Sequence, residues 1–244
     1  MPVDGPQYPV NLVVAGRRCL VVGGGDVAAR KVEGLLACGA LVHVVAIRVS
    51  PRIKSQSGIG AVDGVGRVDG VGGVGAAGAV GAAGGVRSVD SVTWEERAYR
   101  PGEVAGYRLV VAATDSPSAN RAVFDDGEAS GVWVNSADDP ASCSFTLPSV
   151  VRRGPIMVTV STGGHSPALA TWLKRHVEDE MGPEYVVLLE LLATERDAVK
   201  AAGRSTESLD WKKALDSDML DLIRAGQINR ARERLQACLS SSSA

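Results

Sequence analysis

The segment Arg18–Leu36, RCLVVGGGDVAARKVEGLL, limits the possible fold of this chain more than any other stretch. It joins an apolar run to three glycines and then to a segment of helical character. Gly23, Gly25 and Ala28 fit the pattern G-x-G-x-x-[G/A], in which small residues permit a tight turn, the approach of a pyrophosphate and close helix packing. The N-terminus of the helix offers N–H donors to phosphates. The segment predicts a nucleotide-binding strand–turn–helix; the alternative is the same local structure without a ligand.

Composition narrows the range of partners. The 244 residues can bury a sizeable core, and 26 basic against 28 acidic residues leave the chain nearly neutral, which disfavours nucleic acid or a membrane surface as partner. Four widely separated cysteines show no metal-ligand spacing, so we predict no metal site, and reduced thiols fit a cytoplasmic location. Because the first residues lack a basic region followed by an apolar one, we expect no signal peptide.

The first half of the chain reads as a βαβ unit. The predicted elements are an entering strand or extended arm at Tyr8–Val14, a strand at Arg18–Val22, a helix at Asp26–Ala37 and a strand at Leu41–Ala46. The second strand ends in Ala46-Ile47-Arg48, without the acid that commonly binds the ribose of NAD. Arg48 is therefore either a phosphate partner, which would favour NADP, or a solvated surface residue.

A glycine-rich stretch follows at residues 58–85. VDGVG and VGAAG each occur twice in it, and large side chains are missing. Such a composition cannot easily offset its ordering entropy, so we predict a flexible insertion that grew by repeat expansion.

The second half continues the strand–helix alternation and then becomes helical. The predicted elements are strands at Val92–Arg97, Tyr107–Ala113 and Val132–Asn135 with a helix at Ser118–Glu128, then strands at Ser144–Pro148 and Ile156–Thr162, a helix at Ala168–Met181, and a helical end at Glu184–Leu239 with a break near Gly203. Ligands of open parallel sheets lie outside the carboxyl ends of the strands. Four such ends, Gly23–Val27, Ala46–Arg48, Thr114–Asp115 and Asn135–Asp138, should therefore converge on one edge.

Several segments together resemble one family. They are PVNLVVAGRRCLVVGGGDVAARKVEGLLACGA, RAYRPGEVAGYRLVVAATDSPSAN, VWVNSADDPASCSFTLPSVVRRGPIMVTVSTGGHSPALA and the helical end. They resemble precorrin-2 dehydrogenase, the N-terminal module of siroheme synthase, whose members also include sirohydrochlorin ferrochelatases. The resemblance runs from Tyr8 to about Glu180 outside the glycine insertion. The methyltransferase portion of some fused homologues is not expected in this chain.

This resemblance implies an α/β fold with three parts. It implies a Rossmann-like parallel sheet domain at residues 1–147, a small α+β dimerisation region at 148–181 and a helical domain at 182–239, followed by a tail at 240–244. It also implies a homodimer and NAD as the cofactor. The coenzyme contacts expected from the motif, the strand ends and the resemblance are Gly23, Gly24, Gly25, Asp26, Val27, Ala46, Ile47, Arg48, Thr114 and Asp115.

The resemblance further implies a reaction and a catalytic residue. Precorrin-2 would be dehydrogenated to sirohydrochlorin, with Asp138 of the N-x-x-D-x-P segment Asn135–Pro140 as general base and Asp139 as a bystander. A carboxylate beside a nicotinamide can take the proton that accompanies hydride loss. The alternative for Asp138 is a turn-forming role before proline.

The substrate carries eight carboxylates and needs basic neighbours. The basic candidates are Arg97, Arg100, Arg152, Arg153, Lys174 and Arg175. The predicted substrate contacts are Asn135, Ser161, Thr162, Gly163, His165, Arg152 and Arg153. Thr162 matches the position of a hydroxyl that is phosphorylated in some relatives.

Two further functions stay open. The first is a bifunctional enzyme that also inserts ferrous iron into sirohydrochlorin, which the residues do not separate from a plain dehydrogenase. The second is a non-catalytic NAD(H)-sensing domain. The segment Asn135–Pro140 and the turn Ser161–Pro167 argue against the sensor, because a sensor needs no such pair.

Overall fold

The computed structural model describes residues 6–56, 87–89, 92–207 and 209–240. The chain divides into two compact units. The first extends to Leu147 and includes Gly163–Ser166, and the second comprises Pro148–Thr162 and the residues from Pro167 onward. The glycine-rich stretch predicted as a flexible insertion lies outside the described residues.

The first unit alternates strands and helices. Its elements are β1 Arg18–Val22, α1 Asp26–Leu36, β2 Leu41–Ala46, α2 Pro51–Ser55, β3 Arg87–Val89, β4 Val92–Glu96, β5 Leu109–Ala112, α3 Pro117–Ser130, β6 Trp133–Ser136 and a short 3-10 helix at Pro140–Ser142. Residues 6–14 form no strand, so the strand, one of the two predicted alternatives for Tyr8–Val14, is wrong.

A six-stranded sheet organises this unit in the order β3-β4-β2-β1-β5-β6. All pairs are parallel except β3 with β4 at the edge. The chain builds outward from β1 to β2 and β4, then crosses back to place β5 on the other side of β1. The strand order therefore reverses beside β1, which is the switch point at which open α/β sheets bind ligands. This topology confirms the predicted Rossmann-like sheet.

Both faces of the sheet are buried, as the continuous apolar run of β1 predicts. Cys19 and Val21 belong to a hydrophobic cluster that includes residues of α1. Leu20 and Val22 belong to a second cluster on the other face, together with Val123 of α3. Helices on both sides thus fix the position of β1 and of the turn that follows it.

The second unit consists of a hairpin and helices. Its elements are β7 Ser149–Arg153, β8 Ile156–Val160, α4 Pro167–Glu180, α5 Glu184–Ala201, α6 Trp211–Leu215, α7 Met219–Arg224 and α8 Ile228–Ser240. Strands β7 and β8 are antiparallel, with Arg153 paired to Ile156 across a two-residue turn. The helices from α5 onward share a core in which Met219 and Leu235 are fully buried.

The predicted strand at Ser144–Pro148 is wrong. The strand starts at Ser149 and turns at Gly154-Pro155, where Gly154 has a φ of +52° and Pro155 has no N–H for a ladder. Ser144 instead lies beside β6, where its N–H donates to the Val134 carbonyl at 2.8 Å. The hairpin turn, and not the preceding apolar residues, sets the register here.

Two helical features also differ from the sequence prediction. The break near Gly203 is confirmed, but further breaks separate α6, α7 and α8, and Gly226 ends α7 with a φ of +72°. Helix α2 was not predicted. Its signal was Ser50 before Pro51, an N-cap residue followed by a proline at the first helical position.

Two helix glycines test the packing of α3 on β6. At Gly127 an added Cβ would overlap Val134 Cγ2, whereas at Gly34 in α1 it would meet nothing within 4 Å. We expect Gly127→Ala to lower the free energy of unfolding by about 1–3 kcal/mol through overpacking. Gly34→Ala should raise it by about 0.5–1 kcal/mol because alanine is the better helix former. Urea unfolding followed by circular dichroism measures both, and equal stabilisation by both would contradict the packing.

Candidate functional site

The glycine turn after β1 is wedged between the ends of the two neighbouring strands. Gly23 has a φ of +130°, and a Cβ there would overlap the Ala113 carbonyl oxygen just after β5. A Cβ on Gly24 would overlap the Arg48 carbonyl oxygen just after β2. The Gly23 N–H donates to the Val45 carbonyl at 2.9 Å. Both glycines are therefore required by the protein's own backbone.

Gly25 differs from the two glycines before it. It is exposed, its φ is −84°, and a Cβ there would meet nothing within 4 Å. As N-cap of α1 it supplies no side-chain hydrogen bond to the first turn. The first N–H groups of an eleven-residue helix thus border open space, which is the arrangement that binds a diphosphate. The residues present fit a dinucleotide.

A buried amide fixes the loop after β5. Asn120 of α3 is 7 % exposed, and its Oδ1 accepts from the Thr114 N–H at 3.1 Å and from the Thr114 hydroxyl at 2.7 Å. Its Nδ2 donates to the Thr114 carbonyl at 3.0 Å. The Thr114 hydroxyl is therefore used within the loop, and Asp115 beside it is exposed. Asn120 holds the strand end on which Gly23 packs.

The predicted coenzyme contacts all lie at this edge of the sheet. Ala46, the last residue of β2, is buried, whereas Ile47 is 78 % exposed and Arg48 is exposed. The predicted coenzyme contacts at this edge are Gly23, Gly24, Gly25, Asp26, Val27, Ala46, Ile47, Arg48, Thr114 and Asp115. Parallel pairing brings their strand ends together, although their contact with a coenzyme stays a prediction.

Two neighbouring aspartates after β6 have different surroundings. The Asp139 carboxylate accepts from the Ser142 hydroxyl at 2.6 Å and from the Ala141 N–H at 3.1 Å, and the Ser142 bond is the main reason why its pKa is lowered. Asp139 thus caps the 3-10 helix. Asp138 is exposed and makes no hydrogen bond or ion pair to any described residue. Its carboxylate is the one left available for chemistry.

Asn135, a predicted substrate contact, is committed to the fold. It is 7 % exposed, and its Nδ2 donates to the Phe145 carbonyl at 3.0 Å. A single antiparallel bridge to Cys143 accompanies this bond. Asn135 therefore holds the return of the chain that carries Asp138, and a direct contact of its amide with substrate stays a prediction.

Lys31 of α1 was missed in the sequence. It is half-buried, and its ammonium interacts electrostatically with Cys143 and Asp138. Burial lowers the pKa of Lys31, the Arg30 guanidinium lowers it further, and Cys143 and Asp138 oppose both effects. Within the described parts of the chain it forms no hydrogen bond or ion pair. Its position four residues after Val27, on the same helix face, was the available signal.

The remaining predicted substrate contacts have mixed surroundings. Arg153 stabilises the second unit, because its guanidinium donates to the carbonyls of Met181 at 2.9 Å and Glu178 at 3.1 Å, at the end of α4. Arg152, in the same strand, is exposed, and Ser161 and Thr162 follow β8. The turn with Gly163 and exposed His165 belongs to the first unit. The substrate contacts of these residues stay predictions.

The described residues contain no group of three or more His, Cys, Asp and Glu side chains that could hold a metal ion. Among the helices within those same ranges, none is long and apolar enough to cross a membrane.

The reversed strand order, the glycine wedge and the open start of α1 define a Rossmann-type dinucleotide-binding domain. The chain belongs to the family described as "Putative NAD(P)-binding", whose model matches residues 10–149. Residues 153–180 match a second family, described as "Sirohaem biosynthesis protein central". The resemblance to the N-terminal module of siroheme synthase, predicted from the sequence, is confirmed.

Relatives and a solved structure agree with this assignment. Siroheme synthase of Nitrosococcus oceani is 34% identical over 236 residues, which are 96% of this chain and 44% of that protein. Siroheme synthase of Nitrosomonas eutropha is 32% identical over 238 residues, again 96% of this chain and 44% of the relative. The chain thus spans less than half the length of these relatives. The fold matches that of "SirC, precorrin-2 dehydrogenase" with a TM-score of 0.60 at 22% identity, covering 95% of this chain and 98% of that one.

Gly25 offers a test of the diphosphate site that leaves the fold intact. We expect Gly25→Ala to weaken NAD⁺ binding about tenfold or more, because the methyl group enters the space that a diphosphate needs. Its melting temperature should stay near the wild-type value, since the residue has an ordinary φ and open surroundings. Isothermal titration calorimetry and thermal melts measure the two effects. Gly34→Ala is the control, and unchanged affinity in Gly25→Ala would contradict the site.

Proposed function

We propose that this chain catalyses the NAD-dependent dehydrogenation of precorrin-2 to sirohydrochlorin, a step of siroheme or cobalamin synthesis. The observation that carries the proposal is the placement of the Gly25 turn and Asp138 at one edge of a parallel sheet. They follow β1 and β6, which are separated only by β5. Two strand spacings amount to about 10 Å, a span that a dinucleotide bound at the switch point can bridge.

The mechanism divides the work between coenzyme and protein. NAD, when bound, takes up the hydride that leaves one carbon of the substrate. The first-turn N–H groups of α1 bind the diphosphate, and the Asp138 carboxylate accepts the proton from the neighbouring atom. Asp139 and Asn135 position Asp138, because they fix the 3-10 helix and the chain return on either side of it.

Lys31 extends the site towards the substrate. A half-buried ammonium with no ion pair in the described ranges is suited to one of the eight carboxylates of a precorrin. Burial lowers the pKa of Lys31 and the Asp138 carboxylate opposes this effect, so the two groups lie near enough to interact, and a substrate carboxylate bound by Lys31 would lie in the neighbourhood of the base.

Substitution of Asp138 tests the catalytic assignment. We expect Asp138→Asn and Asp138→Ala to bind NAD⁺ like wild type and to lose about 100-fold or more of kcat, the usual contribution of a general base. NADH formation from precorrin-2, followed by absorbance, gives kcat and KM, and calorimetry gives NAD⁺ affinity.

Asp139→Asn is the matched control for this experiment. It removes the neighbouring negative charge but keeps an oxygen that can accept from the Ala141 N–H and the Ser142 hydroxyl, so it should lower stability slightly, leave Asp138 in position and keep most of the turnover. Wild-type turnover in Asp138→Ala would remove Asp138 from the reaction. NAD⁺ binding without any turnover by the wild-type chain would favour the sensor.

Lys31 is tested by a change in KM. We expect Lys31→Met to raise KM for precorrin-2 about tenfold, since one charge-assisted hydrogen bond is lost, and to leave NAD⁺ affinity unchanged. Lys31→Arg should restore part of the loss, and Arg30→Met, an exposed cation of the same helix, is the control. An unchanged KM in Lys31→Met would show that the ammonium does not bind substrate.

Iron insertion into sirohydrochlorin is the second candidate function. The exposure of Asp138 favours it, since a free carboxylate can also accept pyrrole protons as ferrous iron enters the ring.

We also propose a cytoplasmic homodimer. Its support is the apolar surface on α4, where Trp172 is 60 % and Leu169 47 % exposed. Sedimentation equilibrium tests the dimer, and incubation of the chain with ferrous iron and sirohydrochlorin tests iron insertion.

A further inference from the structure

The end of β2 lies directly beside the glycine turn. A Cβ on Gly24 would overlap the Arg48 carbonyl oxygen, and the Ser50 N–H donates to the Gly24 carbonyl at 3.0 Å. In dinucleotide-binding sheets the adenosine ribose lies at this strand end. The backbone of Arg48 is therefore fixed where the 2′ position of a coenzyme would be.

The side chains at this strand end differ from those that select NAD. Discrimination in favour of NAD uses a carboxylate here, which hydrogen-bonds the 2′-hydroxyl and repels a 2′-phosphate. This chain has Ala46, Ile47 and Arg48 instead. Ala46 is buried in the sheet, and Ile47 has no polar group to offer, so Arg48 is the polar side chain that the strand end presents.

The neighbouring carboxylates are already neutralised. The Glu33 carboxylate accepts hydrogen bonds from Nε and Nη2 of Arg52, at 2.8 and 2.9 Å. The Glu96 carboxylate accepts hydrogen bonds from the Lys54 ammonium at 2.8 Å and from the Val49 N–H at 3.2 Å. Neither carboxylate is left to repel a second phosphate.

Arg48 itself is not neutralised by the residues around it. It is exposed and forms no hydrogen bond or ion pair with any residue in the described ranges. Two exposed carboxylates near the turn do not follow β2: Asp26 lies in the first turn of α1 and Asp115 follows β5. An available guanidinium, fixed at its backbone and free of a competing acid, suits a phosphate monoester.

We infer that the coenzyme crevice also accepts the 2′-phosphate of NADP(H), with Arg48 as the residue that determines this specificity. The inference rests on the proposed coenzyme site. It adds a second coenzyme to the NAD of the proposed reaction and leaves the chemistry at Asp138 unchanged.

Calorimetric titration of the full chain with NAD⁺ and NADP⁺ tests the inference without turnover. Wild type should bind NADP⁺ within about tenfold of NAD⁺. Arg48→Ala should weaken NADP⁺ about tenfold or more and change NAD⁺ affinity less than about twofold. The difference between wild type and Arg48→Ala should shrink with added salt, since the contact is an exposed charge pair.

Arg17→Ala is the matched control, because it removes an exposed arginine before β1, at the opposite end of the strand. Titration with 2′,5′-ADP and with ADP isolates the phosphate from the nicotinamide half, and only the former should weaken in Arg48→Ala. Binding of NAD⁺ without NADP⁺, or equal weakening of both in Arg48→Ala, would overturn the inference alone. Failure to bind either coenzyme would instead contradict the proposed function.

Discussion

Two backbone approaches at the start of α1 determine the rest of this structure. Gly23 lies against the carbonyl after β5 and Gly24 against the carbonyl after β2, and no Cβ fits at either position. Three neighbouring strand ends are therefore locked together at the switch point of the sheet. Gly25, with open space above it, leaves the start of α1 accessible. Gly23 and Gly24 thus fix the conformation of the turn, and the open surroundings of Gly25 leave space for a ligand.

The chemistry of the site follows from which polar groups the fold has already used. The side chains of Asn120, Asn135 and Asp139 form hydrogen bonds with the loops after β5 and β6. Asp138 and Lys31 have no hydrogen-bond partners within the described residues, which is why we propose them as the groups that act on a substrate. One set of side chains thus holds the loops in place, and the proposed reaction depends on the other.

Much of the first unit could be predicted because its signals are local. The bounds of β1 and β2 match the predicted ones, since an apolar run ended by glycine or a polar turn leaves little freedom. Ser144–Pro148 was misassigned because register depends on the turn at Gly154, which apolar patterning does not reveal. Lys31 was missed because the groups that act on its ammonium, Asp138 and Cys143, lie more than 100 residues later in the chain.

A crystal structure with NAD⁺ bound tests the central claim most directly, through the distance from nicotinamide C4 to the Asp138 carboxylate. We expect the diphosphate on the N–H groups after Gly25 and a C4-to-carboxylate distance of about 6–8 Å, which leaves room for the substrate carbon that loses the hydride and the neighbouring atom that loses the proton. A diphosphate bound elsewhere, or a nicotinamide on the far side of the sheet from Asp138, would contradict it.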